Sequence, residues 1–179
     1  MSTSFKSAMD RLKANIRDVP DFPKKGIIFK DITPILTNGQ AEQLAVTIFA
    51  ERYQRKSVEK IVAIDARGFI FGGALAHYLG VGLAIARKKG KLPYKTHEHE
   101  YELEYGQGTL ELHVDAVEKN QRVVIIDDLL ATGGTAQAAA KLVEKCGGEI
   151  VELAFLVELG FLHGREKLEK HPVFSAITY

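Results

Sequence analysis

Short apolar runs alternate with longer amphipathic stretches along this chain, and that alternation predicts an α/β protein. Val123-Val124-Ile125-Ile126 is an unbroken β-branched apolar run, the pattern of a strand buried on both faces in a parallel sheet. Asp127 and Asp128 close the run. A loop of small and hydroxylated residues follows to Thr135, and Ala136 to Lys141 starts a helix. Lys60 to Asp65 and Val81 to Ala86 read as two further buried strands, joined by a helix from Gly68 to Tyr78. Upstream, Ser4 to Arg17 places Phe5, Met9, Leu12 and Ile16 at helical spacing, and Asp21-Phe22-Pro23 ends that helix. Gly26 to Ile32 reads as extended, Thr33-Pro34 as a turn, and Gln40 to Tyr53 as a helix.

The pattern weakens between Arg87 and Tyr101, which is polar, basic and aperiodic and predicts a long mobile loop. Loops of that length in compact domains are usually functional. Leu103 to Val114 alternates as a β-hairpin around Gly106-Gln107-Gly108. Glu149 to Leu159 is a strand, Gly164 to Leu168 a short helical turn, and Val173 to Ile177 an edge strand. The fold class is therefore α/β, a twisted, largely parallel sheet flanked by helices. Ligands of such sheets bind beyond the carboxyl ends of the strands.

Candidate chemistry lies there. A strand, a glycine-containing loop and a helix start together make a phosphate cradle, because free N–H groups and the positive end of the helix dipole point at the anion. Gly133 and Gly134 permit close approach, and Thr132 and Thr135 add hydroxyl donors. Two aspartates beside a phosphate would repel it unless they accept hydrogen bonds, for example from sugar hydroxyls. Asp65-Ala66-Arg67-Gly68-Phe69 repeats the strand-to-helix arrangement with a guanidinium at the helix start, which suits a pyrophosphate; the alternative is an Arg67 paired with a surface carboxylate. Arg87-Lys88-Lys89-Gly90-Lys91 is either a solvated charged run or an anion site placed just after a strand end. Glu104 is a candidate acid–base group on a closing loop, where exclusion of water can raise a carboxylate's proton affinity. His97 and His99 alternate with Glu98 and Glu100 and read as solvated loop residues rather than a preorganised metal site.

Composition narrows the classes. The chain has 179 residues, enough for one domain with a sizeable core, with 46% hydrophobic and 26% charged residues. Its 24 basic and 23 acidic residues balance, so no charge excess advertises nucleic acid or a membrane surface. The single cysteine, Cys146, excludes an internal disulfide and reads as a packing residue. No signal-peptide core or membrane-length apolar stretch occurs, so a cytoplasmic location is expected. GxxxxGK[ST] is absent, and both GxG pairs lack the third glycine of a dinucleotide fingerprint, with Ile85 and Glu111 in its place.

The segments DFPKKGIIFKDITP, DARGFIFG, ARKKGKLP, YELEYG, VVIIDDLLATGGT and LVEL…GREKL together resemble the adenine phosphoribosyltransferases of the type I phosphoribosyltransferase family, from Asp21 to about Leu168. The resemblance implies a single domain over residues 1–179, with an N-terminal hood and base-binding segment at 1–35 and a mobile catalytic loop at 87–106. It implies synthesis of AMP and pyrophosphate from adenine and 5-phosphoribosyl 1-pyrophosphate, with Mg²⁺ carried by the pyrophosphate rather than held directly by protein ligands. Asp127 and Asp128 would accept the ribose hydroxyls. Ala131, Thr132, Gly133, Gly134 and Thr135 would hold the 5-phosphate. Arg67, Gly68, Arg87, Lys88 and Lys91 would bind pyrophosphate, with a neighbouring subunit of a homodimer as a further source of these cations. Phe29 and Leu129 would sandwich adenine while backbone groups of Ile28 and Lys30 read its edge. Glu104 would assist proton transfer at the base, and Tyr105 would support the closed loop. A cis Asp65–Ala66 peptide is also implied.

Two rival readings are an oxo-purine phosphoribosyltransferase and a non-catalytic sensor of phosphoribosyl pyrophosphate that binds nucleic acid. The first would need a C-terminal lysine–aromatic base-reading loop, which this chain lacks, and Glu104-Tyr105-Gly106 favours adenine. The second would need a DNA-binding extension or a basic face.

Overall fold

A computed structural model describes residues 3–102 and 107–179, with side chains from residue 6 onward. Glu104 and Tyr105 therefore lie outside the described residues. The chain forms two compact units, residues 1–49 and 50–179.

In the first unit, α1 (Thr3–Lys13) is followed by an antiparallel ribbon of β1 (Arg17–Pro20) and β2 (Ile28–Asp31), and then by α2 (Thr33–Thr37) and the start of α3 (Gly39–Tyr53). The first helix is shorter than its apolar spacing predicts. Ile16 donates to Lys13 across a tight turn, and Arg17 then pairs with Asp31 along the ribbon, both in register and through its side chain at 2.6 Å. Cross-strand pairing outcompetes the last helical turn. Thr33-Pro34 opens α2 rather than a simple turn, since proline is tolerated where helix N–H groups have no partner.

The second unit is a seven-stranded sheet: β3 (Lys60–Ile64), β4 (Gly82–Lys88), β5 (Thr96–Glu102), β6 (Gln107–His113), β7 (Arg122–Leu130), β8 (Glu149–Glu158) and β9 (Val173–Thr178). Their spatial order is β5-β6-β4-β3-β7-β8-β9. The five strands from β4 to β9 across this order pair in parallel, and the β5–β6 hairpin joins β4 antiparallel.

Strand alternation sends Val62, Ile64, Val123 and Ile125 to one face, where they pack against Ala138, Ala139, Leu142 and Val143 of α5 (Gly134–Cys146). Ala63 and Ile126 point to the other face and meet α4 (Gly68–Leu79). Gly72 allows that approach, because a Cβ there would lie 2.5 Å from the Ala63 Cβ. Helices on both faces cover the central strands, which accounts for their continuous apolar runs.

The expectation of a long structureless loop from Arg87 to Tyr101 is corrected. Arg87 and Lys88 belong to β4, and Thr96–Glu102 is a strand that pairs with β6 from Thr96↔His113 to Glu102↔Gln107. The expected hairpin therefore exists, but its first strand is Thr96–Glu102 rather than a segment beginning at Leu103. Half-buried His97, His99 and Tyr101 alternate with exposed Glu98, Glu100 and Glu102, so the period-two signal was present but carried by polar residues.

At the opposite end of the sheet, buried Glu152 of β8 receives Arg52 through two contacts of 2.6 Å, the Tyr53 hydroxyl at 2.8 Å and Lys56 at 3.2 Å. Burial alone would raise its pKa, but these donors hold it below the ordinary glutamate value. The network ties the end of α3 to the sheet.

Candidate functional site

Two strand-to-helix junctions meet at the carboxyl ends of β3 and β7. The β3 junction runs through Asp65, Ala66 and Arg67 into α4, and its Asp65–Ala66 peptide bond is cis. The β7 junction runs through Ala131, Thr132 and Gly133 into α5. Neither helix start has a side-chain cap; at α4 the Phe69 and Ile70 amides donate to the Ala66 and Arg67 carbonyls at 3.2 Å, behind the leading Gly68, while α5 opens on Gly134 in the manner of an anion-binding helix start.

The two junctions share one cavity of about 370 Å³, lined by Asp65, Ala66, Arg67, Lys88, Tyr101, Leu110, Asp127, Asp128, Leu129 and Thr135. Asp127, Asp128 and Leu129 lie within β7 itself, one strand turn before the loop. Arg67 Nε donates to Asp128 Oδ2 at 2.5 Å. Its partner is thus a buried carboxylate of the cavity, which disposes of the surface-carboxylate alternative. The Asp128 N–H donates to Asp127 Oδ1 at 2.8 Å. Burial, reinforced by the neighbouring Asp128 charge, pushes the Asp127 carboxyl well above the ordinary aspartate value.

Three glycines make this packing possible. A Cβ on Gly68 would lie 2.8 Å from Asp127 Oδ1 and 2.9 Å from the Ile126 carbonyl, so the start of α4 sits directly against the end of β7. Gly133 has φ +80°, a left-handed conformation that side chains disfavour, and it packs on the Gly164 backbone. Gly164 in turn packs on the Ala131 carbonyl, so the loop rests on the short helical turn Gly164–Leu168.

The expected cations separate on inspection. Arg67 and Lys88 line the cavity. Arg87 donates to Asp65 Oδ2 at 3.1 Å and to the Lys91 carbonyl at 3.3 Å, bracing the β3 junction from the neighbouring strand. The exposed Lys91 is not among the cavity-lining residues. In the first unit, Ile28 is 54% exposed, Phe29 stacks edge-on with Phe22 at 5.2 Å, and Lys30 pairs with Asp18 at 2.6 Å.

Tyr101, Leu110 and Gly164 were missed as site residues in the sequence. Tyr101 stands opposite Gly108 in the hairpin register, where its ring covers the glycine, and its carrier strand ends against Gly134, where a Cβ would lie 2.7 Å from the Glu102 carbonyl. The only sequence signal was the placement of glycines at both contact points. Cys146 is half-buried with its thiol pKa raised by burial, and it contacts the His113 carbonyl through Sγ at 3.9 Å, as a packing residue should. A larger cavity of about 520 Å³ contains none of these groups, and its Arg165 and Glu158 neutralise each other in a two-point ion pair. Among the described residues, no helix is long and apolar enough to cross a membrane.

Residues 32–177 match the family model of the phosphoribosyl transferase domain. The chain is 55% identical over 179 residues to an adenine phosphoribosyltransferase of Methylacidiphilum infernorum, covering 100% of both. The crystal structure of adenine phosphoribosyltransferase from Thermoanaerobacter pseudethanolicus superposes with a TM-score of 0.92 at 51% identity, covering 96% of this chain and 99% of that one. The Saccharomyces cerevisiae adenine phosphoribosyltransferase, complexed with an imino-altritol bisphosphate and adenine, superposes at 0.91 with 39% identity, covering 96% and 99%.

Proposed function

This chain belongs to the phosphoribosyltransferase domain family and, within it, to the adenine phosphoribosyltransferases, and we propose that it joins adenine to 5-phosphoribosyl 1-pyrophosphate, releasing AMP and pyrophosphate. The carrying observation is the single cavity into which two uncapped helix starts, an aspartate pair and two cations converge. A sugar bearing one phosphate and one pyrophosphate needs this arrangement, with an anion cradle on each side of a hydroxyl-binding centre.

In this reading the Ala131–Thr135 loop holds the 5-phosphate at the start of α5. Asp127 and Asp128 accept hydrogen bonds from the ribose hydroxyls. Arg67, the Gly68 amide and Lys88 bind the pyrophosphate, with Arg87 steadying the Asp65 loop and Lys91 contributing to the local positive field. Phe29 and Leu129 offer apolar surfaces to the flat base, and the Ile28 and Lys30 backbone reads its edge. One N–H and one C=O suffice to separate a 6-amino from a 6-oxo purine, because the wrong base leaves a buried polar group unpaired.

The reaction breaks the bond between the anomeric carbon and pyrophosphate, which departs with the electron pair, through an oxocarbenium-like transition state. A base nitrogen bonds to that carbon and gives up its proton, with Glu104 assisting and Tyr105 supporting the segment that carries it. Holding both reactants in register and excluding water account for much of the acceleration and suppress hydrolysis.

Mg²⁺ usually keeps several waters and binds substrate phosphates, so an ion carried in on the pyrophosphate needs no direct protein ligand, and the Asp127 and Asp128 carboxylates at the cavity stay with the ribose hydroxyls. The residues thus fit an ion that arrives with the substrate, where it would neutralise the leaving pyrophosphate. A cytoplasmic homodimer completes the proposal. Exposed Ile70 and Tyr78 of α4 and Leu83 of β4 give such a dimer an apolar surface to bury.

The test is a spectrophotometric assay with phosphoribosyl pyrophosphate and Mg²⁺, offering adenine, hypoxanthine, guanine and xanthine separately, for the parent and Glu104→Gln. Adenine-only turnover, weakened in the variant, is expected. Turnover of an oxo-purine would overturn the base assignment, and tight phosphoribosyl-pyrophosphate binding without turnover would make the protein a sensor.

A further inference from the structure

Glu111 lies in the middle of β6, directly opposite Arg87 of β4 and Glu98 of β5. It is only 5% exposed. Glutamate is almost never buried without a partner, so its contacts indicate its purpose. Glu111 Oε2 accepts the Gly90 N–H at 3.0 Å. Gly90 sits at φ +79° with open space around the missing Cβ, so conformation and not crowding calls for glycine there. One residue earlier, the Lys89 N–H donates to the Thr109 carbonyl at 3.0 Å, and the Lys89 ammonium pairs with Glu98 at 2.6 Å. The hairpin thus grips the turn after β4 at consecutive residues, once by backbone and once through a buried carboxylate.

That turn immediately follows Lys88, which lines the cavity, and Arg87, which braces Asp65. A carboxylate would repel pyrophosphate, so Glu111 has no place as an anion ligand. We propose that Glu111 is a positioning residue for pyrophosphate, fixing the Lys89–Gly90 turn through the Gly90 amide and thereby holding Lys88 at the cavity. This rests on the reading of Lys88 as a pyrophosphate ligand. A charge-assisted bond is shorter and stronger than a neutral one, and this half-buried one spares a cationic turn the spread of geometries that mutual repulsion would otherwise produce.

The discriminating pair is Glu111→Gln, which keeps the reach and an acceptor oxygen but loses the charge, against Glu111→Asp, which keeps the charge but loses one methylene of reach. Inorganic pyrophosphate in Mg²⁺ buffer is titrated calorimetrically into each full-length variant, and KM is measured for both substrates. Glu111→Asp should weaken pyrophosphate binding and raise KM for phosphoribosyl pyrophosphate about 5- to 10-fold, the scale of one lost charge-assisted bond, with KM for adenine unchanged. Glu111→Gln keeps an acceptor for the Gly90 amide but loses the charge assistance, so its loss should fall between the parent and Glu111→Asp. Lys88→Met should weaken pyrophosphate binding, and adding Glu111→Asp to it should cost nothing further. Equal losses in Glu111→Gln and Glu111→Asp, parental affinity in Glu111→Asp, or additive losses in the double variant would each overturn the proposal. Parental affinity in Lys88→Met would overturn it differently, by removing the underlying reading of Lys88.

Discussion

Arg67 and Asp128 hold each other at the cavity, with Nε 2.5 Å from Oδ2, although the proposed chemistry assigns them to different parts of one substrate. In that proposal the guanidinium serves the pyrophosphate and the carboxylate a ribose hydroxyl. Their mutual contact keeps a buried carboxylate satisfied and aims the guanidinium at the same small volume. On the proposed roles, substrate binding would exchange one charge-assisted contact for several.

Arg67→Gln should lower kcat/KM for phosphoribosyl pyrophosphate by about 100-fold, the scale seen when a donor to developing charge is removed. It also leaves Asp128 without its cation, at a cost of about 1–2 kcal/mol in stability. Adding Asp128→Asn should restore the lost Tm but not the activity. Thermal melts and steady-state kinetics on the single and double variants separate the two effects.

Asp127 carries a different liability. Burial, then the Asp128 charge, raises its folded-state pKa above the unfolded value. The folded state binds this proton more tightly, so ionised Asp127 opposes folding at pH values above its folded pKa, and the opposition fades as pH falls toward the unfolded aspartate value. Asp127→Asn should raise Tm at neutral pH, with the gain shrinking on acidification, while turnover falls sharply. Calorimetry between about pH 4 and pH 8 checks the direction.

Gly164 lies outside the acidic strand and its loop, yet it supports that loop. Its backbone packs on Ala131 and Gly133, leaving no room for a Cβ. Gly164→Ala should displace the loop, raising KM for phosphoribosyl pyrophosphate several-fold and costing roughly 1–3 kcal/mol of stability. An alanine variant with parental KM would show that the loop tolerates movement at this point.

Glu152 offers the contrasting case of a charge cluster that serves the scaffold. Glu152→Ala leaves the buried Tyr53 hydroxyl without its partner and the half-exposed Arg52 and Lys56 without theirs, and should cost roughly 1–3 kcal/mol, with KM for both substrates unchanged at a permissive temperature. Because Glu152 and Glu158 both have lowered pKa values, their pairs stabilise the fold above the ordinary glutamate pKa of 4.5. That contribution is lost as pH falls below it, so the parent's Tm should drop in that window and Glu152→Ala should drop less.

Much of the site could be read in one dimension because its parts are contiguous. The β7 strand, the aspartates and the 131–135 loop form one segment, and a local helix start defines the cradle proposed for phosphate. The β3 junction is equally local. Arg87 to Tyr101 was misread because its strand is built from His, Glu and Tyr, whose alternation is stabilised by pairing with β6 rather than by apolar burial. Residues 14–17 fall outside the expected helix for a related reason, since Arg17 finds Asp31 across a ribbon that no helical periodicity announces.

The sequence by itself determined the α/β class, the central strands and the two strand-to-helix junctions proposed to bind anions, because burial on both faces and helix-start chemistry are written in neighbouring residues. Only the tertiary structure decided which cations reach the cavity, that Arg67 spends its charge on Asp128, that Glu111 accepts the Gly90 amide, and that Tyr101 and Gly164 pack at the cavity and its loop from distant segments. Those outcomes depend on strand register and on sub-ångström clearance between backbones, and both are settled by packing, where a single residue's shift turns a side chain to the other face of the sheet.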